Sequence, residues 1–147
     1  MIAPRRSDST SLLHIRKGEG RLQVSAFLIK VGEDYLIIIC GGEKPHIGGF
    51  ALSIEGNPPV AFSLPRHKDY LVAVKAASLI SRSLGRTCLA VAGIHVENAS
   101  REDIEKLIEH SEECVHELIS TIQKSESHSS EEQGHSPLQG DPTPSPQ

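Results

Sequence analysis

Three histidines in this sequence have the surroundings expected of a functional site. His46, His67 and His95 each lie just beyond an apolar run typical of a β-strand, in a loop that also carries charged or amide side chains. Loops at strand ends are where a rigid scaffold presents functional groups. Imidazoles can ligate a divalent metal, carry a proton near neutral pH or donate hydrogen bonds to an anion. The three are too far apart in sequence for a local metal motif such as HExxH, so only folding could bring them together.

The loop that carries His46 is rich in glycine. Residues 41–49 include four glycines and a proline. Glycines let successive backbone N–H groups turn toward one point, and Lys44, with Arg66 and Lys68 from the loop of His67, could supply cations for a phosphate. The glycines could equally serve only to turn the chain between strands. The loop matches neither the Walker phosphate-binding motif nor the GxGxxG dinucleotide fingerprint.

Other polar residues near the histidines have a structural explanation. Asp69 lies where the N-cap of a helix is expected, and Glu97 and Asn98 could simply shape the turn before Ser100. The sequence contains no Ser-His-Asp order, nucleophile elbow or cysteine nucleophile pattern. The residues by themselves therefore predict one polar, histidine-bearing site that is compatible with an anion.

The first half of the chain has the pattern of β-strands. Residues 21–31 and the unbroken apolar run at 35–40 flank a turn, which indicates a β-hairpin, and a weaker strand is predicted at 11–16. Residues 50–54 and 60–64 indicate a second hairpin. These strands are predicted to form a meander.

The second half alternates helix, strand and helix. Asp69 and Gly85 bound the first amphipathic helix, and a short buried strand is predicted at 87–93. Ser100 and Asp103 form a capping-box signature, followed by apolar residues at helical spacing as far as about Gln123. The pattern predicts an α+β fold: one domain with an antiparallel or mixed β-sheet and two α-helices packed on it.

The apolar run at 35–40 also predicts an oligomer. An unbroken run of this kind is typical of a strand that is buried on both faces. Two helices can cover one face of the sheet, so a partner subunit is the economical cover for the other. We therefore expect a homo-oligomer, specifically a homodimer.

Length and charge bound the class of protein. The chain has 147 residues and a net charge of −4, which suits one small domain and leaves no basic footprint for nucleic acid. No apolar run approaches the roughly 18 residues of a membrane helix, so no membrane partner is expected. Residues 1–9 are predicted to be a flexible N-terminus, 10–123 the folded domain, and the Ser- and Pro-rich segment 124–147 a disordered tail.

The cysteines and the N-terminus predict a cytoplasmic protein. The start of the chain has no apolar segment of the kind found in a signal peptide. The sequence has three cysteines and no CxxC pair: Cys40, Cys88 and Cys114. We therefore expect reduced, largely buried thiols rather than disulfides or a cysteine metal site.

Three sequence blocks at these loops together resemble one known family. They are Gly-Gly-Glu-Lys-Pro-His-Ile-Gly at 41–48, Leu-Pro-Arg-His-Lys-Asp at 64–69 and Ala-Gly-Ile-His-Val-Glu-Asn-Ala at 92–99. In this order they resemble the prenylated flavin chaperone family (LpdD-like), the small D-type accessory proteins of gallate decarboxylase. The likeness covers about residues 10–123. Gly49, where a small residue such as alanine is expected, and the tail depart from the family pattern.

The resemblance implies a non-catalytic role: binding prenylated FMN and helping to deliver it to a UbiD-type decarboxylase, with a flavin prenyltransferase as a further partner. Carried over by position, the cofactor-binding residues are Glu43, Lys44, His46, Gly48, His67, Lys68, Asp69, His95 and Asn98. The phosphate would meet cationic side chains and glycine-loop amides. The nearest aromatic residues for the flavin ring are Phe50, Phe62 and Tyr70.

A different class of function stays open from the residues alone. His46, His67 and His95 could ligate Zn²⁺ or a similar ion in a small metal-dependent enzyme, with Glu43 or Glu97 as the base. A carrier could also hold a divalent metal, and an interaction module without a small-molecule site is a third option. Both main hypotheses require the three imidazoles to lie within about 15 Å of one another, which is less than the span of one domain.

Overall fold

The structure, a computed structural model, describes residues 11–132. The strands are β1 (Leu12–Lys17), β2 (Val24–Val31), β3 (Asp34–Gly42), β4 (Gly49–Ser53), β5 (Val60–Ser63) and β6 (Cys88–His95), and the helices are α1 (Tyr70–Leu84) and α2 (Arg101–Glu132). The predicted α+β fold, with a mixed sheet and two helices in one domain, is confirmed. The predicted start of the second strand at residue 21 is wrong, because Gly20–Leu22 form a 3-10 turn before β2. The predicted flexible segment 1–9 lies outside the described residues.

The six strands form one sheet in the order β1-β2-β3-β6-β4-β5. Strand β6 pairs parallel to β3 and antiparallel to β4, and the remaining pairs are antiparallel. The predicted meander is therefore wrong between β3 and β4, because the apolar strand β6 is hydrogen-bonded between them. The connection from β3 to β4 has to cross β6, and this crossing builds the site described below.

Both helices pack on one face of the sheet. The core between the layers consists of alternate residues of the central strands and the inward residues of the helices, chiefly Ala26, Leu28, Ile37, Ile39, Ala90, Ala92, Ala73, Ala77, Ile80 and Leu118. The alanines of β6 and α1 have little side-chain volume, so the helix can approach the sheet closely. This packing fixes the N-terminus of α1 next to the end of β6.

The other face of the sheet, here called the open face, is not covered by any element among residues 11–132. Tyr35, Ile37 and Ile39 of β3 are buried against the helices, whereas Leu36 and Ile38 on the open face are only half-buried. Within the single chain the run 35–40 is therefore buried on one face only, and its predicted cover by a partner subunit stays a prediction. The strand register places two rows on the open face: Leu12, Ile29, Leu36, Leu89, Leu52 and Val60 in one, and His14, Phe27, Ile38, Val91, Phe50 and Phe62 in the other.

The helix ends follow local rules, with one exception. Gly85 ends α1 in the left-handed conformation. At α2 the predicted capping box is present: Asp103 N–H donates to Ser100 Oγ and Ser100 N–H donates to Asp103 Oδ2, both at 3.0 Å. The predicted end near Gln123 is wrong, since α2 continues to Glu132.

The longer α2 changes the interpretation of the tail. No glycine or proline occurs between residues 123 and 133 to stop the helix. Serine hydroxyls of this segment donate to carbonyls of the preceding turn, as Ser129 does to Ser125 at 3.0 Å. The predicted disorder is therefore wrong for residues 124–132, and the remainder of the predicted tail, 133–147, lies outside the described residues.

No helix within residues 11–132 has the length and apolar character needed to cross a bilayer. The three cysteines are placed as predicted. Cys88 and Cys114 are buried and Cys40 is half-buried, all as free thiols. Burial raises the pKa of the Cys88 thiol to about 12 and that of Cys114 to about 11. Thiols with such pKa values are almost entirely protonated near neutral pH, so they pack as small apolar side chains.

Candidate functional site

The crossing from β3 to β4 positions His46. Residues 43–48 run over the end of β6, where His46 N–H donates to the Gly93 carbonyl at 3.4 Å and Gly48 N–H donates to the Ala92 carbonyl at 2.9 Å. A Cβ atom at position 93 would lie 1.7 Å from the His46 carbonyl oxygen. Only glycine at position 93 lets the two backbones approach this closely. The crossing therefore fixes the backbone of His46 against β6.

The loop between β5 and α1 positions His67. The Ser63 hydroxyl donates to the His67 carbonyl at 2.8 Å, and His67 N–H donates to the Leu64 carbonyl at 3.2 Å. Arg66 has a φ angle of 67°, in the left-handed region that non-glycine residues rarely adopt. Such strain persists only where surrounding contacts hold it, and it is found most often at functional sites.

Asp69 serves a different purpose from the one that its position suggests. Its carboxylate makes no capping hydrogen bond with α1. Oδ1 accepts a hydrogen bond from Ile94 N–H at 2.9 Å, and Oδ2 lies 3.2 Å from His46 Nε2 and 3.4 Å from His67 Nδ1. The explanation of Asp69 as a side-chain N-cap is therefore wrong, and the residue ties α1, β6 and the two histidines together.

Gly48 makes room for this carboxylate. A Cβ atom at position 48 would lie 2.0 Å from Asp69 Oδ2 and 2.7 Å from the carboxylate carbon. Any other residue at position 48 would push the Asp69 carboxylate away from the histidines. The contribution of Gly48 to the site is thus space rather than a polar group.

His95, the last residue of β6, belongs to a second cluster. Its Nε2–H donates to Glu97 Oε2 at 3.2 Å, and Lys44 Nζ lies 3.5 Å from the same oxygen. Glu97 N–H donates to Glu43 Oε2 at 2.8 Å. The hydrogen bond from His95, and then the charge and hydrogen bond of Lys44, lower the pKa of the Glu97 carboxyl. A lowered pKa makes Glu97 a weaker general base than an ordinary glutamate.

The two clusters meet at His46. The ring centroids of His46 and His67 are 4.8 Å apart, and those of His46 and His95 are 6.4 Å apart. The predicted convergence of the three imidazoles within one site is confirmed. Within the described part of the chain, the group that could hold a metal ion is His46, His67 and Asp69, with all ligand atoms within 4.8 Å of one another. His95, the third ligand of the predicted metal set, lies outside this group.

A cavity of about 440 Å³ adjoins both clusters, between the N-terminal ends of α1 and α2. Its polar lining consists of Arg66, His67, Lys68, Asp69 and His95. Its apolar lining consists of Leu71, Val72, Ile94, Val96, Ala99, Ile104, Leu107 and Ile108. This volume lies within the range of about 300–1,000 Å³ that is common for small-molecule sites.

The remaining predicted site residues are placed outside this lining. Lys44 and Glu43 belong to the His95 cluster, and Gly48 and His46 lie in the crossing loop. Asn98 has a φ angle of 49°, which Asn tolerates better than most residues, and it shapes the turn before α2. Its turn-forming explanation therefore agrees with the structure.

The sequence pattern does not indicate that the apolar lining of the cavity is part of a site. Leu71, Ile104 and Ile108 are exposed to solvent by 55%, 49% and 43%. The helical periodicity of α2 marked Ile104 and Ile108 only as core residues. Phe50 and Phe62, considered for the flavin ring, instead stack on each other on the open face with centroids 5.5 Å apart. The cavity therefore offers aliphatic rather than aromatic surface.

Comparison with known proteins identifies relatives of this chain. The family described as prenylated flavin chaperone LpdD-like domain matches residues 18–123. Protein LpdD of Lactiplantibacillus plantarum (strain ATCC BAA-793 / NCIMB 8826 / WCFS1) is 30% identical over 106 residues, which cover 69% of this chain and 78% of that protein. The range 18–123 contains all three loops that build the site.

A solved structure shares the fold. A chain from the crystal structure of a novel chaperone complex for yeast 20S proteasome assembly superposes with a TM-score of 0.54, over 76% of this chain and 96% of that chain. The sequence identity is 11%, so this likeness concerns the fold alone.

Proposed function

This chain belongs to the prenylated flavin chaperone LpdD-like family, and on that premise we propose that it holds prenylated FMN at the three-loop site and helps to deliver it to a UbiD-type decarboxylase. The observation that carries the proposal is the convergence of His46, His67 and His95 beside a cavity with a polar and an apolar lining. We also propose that a flavin prenyltransferase supplies the flavin and that the chain acts in the cytoplasm.

The phosphate of the flavin is expected at Arg66 and Lys68. Both side chains line the cavity, carry positive charge and precede α1, whose N-terminal amides favour an anion. Asp69 and Glu97 place negative charge on the side of His46 and His95, which would repel a phosphate there. His67 lies between the cationic region and the side of His46 and His95, and its ring N–H can donate a hydrogen bond to a ligand atom in either place.

The flavin ring is expected against the aliphatic part of the cavity. Leu71, Ile104 and Ile108 are half-exposed and would lose contact with water when a flat ring covers them. Without aromatic stacking or deep burial, the affinity should stay moderate. An affinity near micromolar, about −8 kcal/mol, suits a protein that must release its cargo.

A transfer assay tests delivery. The chain is loaded with prenylated FMN without oxygen and mixed with an apo-decarboxylase of the UbiD type. We expect decarboxylase activity to recover faster than with the same concentration of free prenylated FMN, and His14→Ala, which changes an exposed histidine on β1, should behave as wild type. Equal recovery with free and chaperone-bound cofactor would contradict a role in delivery.

The alternative of a metal-dependent enzyme gains no support from the family or from the relative. The two residues proposed as the base also take part in hydrogen bonds. Glu43 accepts one from the Glu97 backbone N–H, and Glu97 accepts one from the His95 ring. One oxygen of each carboxylate is thus held by a hydrogen bond, and the lowered pKa of Glu97 makes it a weak base.

We also propose that two copies of the chain associate through the open face. Eleven of the twelve side chains in its two rows are apolar, and the register places them side by side across all six strands. Six strands at about 4.8 Å spacing, each about six residues or 20 Å long, present a sheet face of roughly 600 Å², which approaches the about 800 Å² per partner of a standard interface. The two rows contain no Asp, Glu, Lys or Arg, so they complement a second copy of themselves, with two sheets stacked face to face.

Charge on the open face should separate the copies. Phe62 is 52% exposed, and Phe62→Glu would place a carboxylate in the proposed apolar interface. We expect light scattering to give twice the chain mass for wild type and one chain mass for Phe62→Glu. Ile104→Glu, a similarly exposed change on the helix side, should keep the dimer. A monomeric wild-type protein would contradict the proposal.

A further inference from the structure

The atoms of His46, His67 and Asp69 that face each other have the spacing of metal ligands. His46 Nε2 lies 3.1 Å from His67 Nδ1 and 3.2 Å from Asp69 Oδ2, and the third side of the triangle is 3.4 Å. Ligands about 2.0–2.1 Å from a zinc ion at tetrahedral angles are about 3.3 Å from each other. The triangle therefore matches one face of a tetrahedral zinc site.

Hydrogen bonds around the triangle leave lone pairs directed inward. His46 Nδ1–H donates to the Lys44 carbonyl at 2.9 Å, so in the neutral ring Nε2 carries a lone pair. Asp69 Oδ1 accepts from Ile94 N–H, which holds the carboxylate with Oδ2 toward the histidines. With both rings neutral, the three facing atoms then have at most one proton between them, that of His67 Nδ1. One cation at the centre would interact favourably with all three atoms. Outer contacts of this kind orient the ligands in metal sites.

We propose that His46 Nε2, His67 Nδ1 and Asp69 Oδ2 bind one divalent transition-metal ion with zinc-like tetrahedral geometry and one open coordination position. Two imidazoles and one carboxylate are the ligand types that zinc takes with an open fourth position. The side chains of His46, His67 and Asp69 are 25%, 37% and 11% exposed, so an ion and a fourth ligand can reach them. This set contains Asp69 in place of His95.

The ligand set also explains two glycines. Gly48 leaves space for the Asp69 carboxylate, and Gly93 leaves space for the His46 backbone. Both serve to bring ligand atoms from separate loops to metal-binding distance, which a merely structural turn would not require.

Binding of the metal alone tests the inference without any flavin. Full-length protein without a histidine tag, stripped with a chelator, is titrated with Zn²⁺ by calorimetry and with Co²⁺ by visible absorption. We expect one ion per chain and the intense visible bands of tetrahedral cobalt. Asp69→Asn and His67→Ala should each weaken Zn²⁺ binding tenfold or more, and His116→Ala, an exposed histidine of α2, should bind as wild type.

Three outcomes would overturn the inference. They are a wild-type protein that binds no ion, a His67→Ala variant that binds as wild type, and a His95→Ala variant that loses as much affinity as His67→Ala. His67→Ala keeps the test valid if Asp69→Asn unfolds, since within residues 11–132 the polar contacts of the His67 ring are with His46 and Asp69, whereas Asp69 also holds the Ile94 amide. A wild-type protein that binds Zn²⁺ but no flavin would count against the proposed function and would still support this metal site.

Discussion

Gly93→Ala is expected to abolish flavin retention. The new Cβ atom would lie 1.7 Å from the His46 carbonyl oxygen and 2.3 Å from its carbon, so the crossing loop would have to move away from β6. Because both colliding groups are backbone, no rotamer change can relieve the contact. Displacement of the loop separates His46 from His67 and Asp69. Overpacking of this kind costs on the order of 1–3 kcal/mol of stability as well.

Flavin absorbance after gel filtration measures the retention of flavin by the Gly93→Ala variant, and the thermal midpoint of unfolding measures its stability. Val91→Ile is the matched control, because it adds carbon to the same face of the same strand at a half-buried position away from the loop. We expect Val91→Ile to retain the flavin. A Gly93→Ala protein that retains flavin as wild type would show that the crossing does not position the site.

His46→Ala is expected to weaken flavin binding by about ten- to a hundredfold, because it removes the partner that holds the Asp69 carboxylate and His67 beside the cavity, and a hydrogen bond to a charged group contributes about 1.5–3 kcal/mol. His46 links the cluster of His67 and Asp69 to that of His95, so its removal disturbs both. The fold should persist, because His46 is partly exposed and lies outside the core. Equilibrium dialysis gives the affinity, and circular dichroism checks the fold.

The matched control for His46→Ala is His14→Ala. His14 is an exposed histidine of β1, at the opposite edge of the sheet order from β4 and β5. The same loss of affinity in both variants would mean that the binding effect is unspecific, and an unchanged affinity in His46→Ala would place the flavin elsewhere.

Local signals in the sequence were sufficient for much of the fold. The capping box at Ser100 and Asp103 and the stop at Gly85 depend on neighbouring residues, and both are present. The strand predicted at 11–16 is present as well, one residue later, at Leu12–Lys17. The three histidine loops were also identified, because each follows an apolar strand. Their convergence could be predicted only as a hypothesis, since it depends on how distant strands pair.

Non-local pairing accounts for what the sequence did not show. The position of β6 between β3 and β4 follows from contacts between segments far apart in the chain, and the hairpin pattern alone favoured a meander. Asp69 had a local explanation as an N-cap, whereas its actual partner is the amide of Ile94, 25 residues away. The apolar run at 35–40 fits burial on both faces, but one chain provides helices for only one of them.

Flavin binding is tested most directly by purifying the full chain without oxygen after co-expression with a flavin prenyltransferase, and by measuring the bound flavin by absorbance and mass. We predict that prenylated FMN is bound to the wild-type protein and lost from the His46→Ala and Gly93→Ala variants. Wild-type protein that carries no flavin under these conditions, and takes none up when prenylated FMN is added, would contradict it.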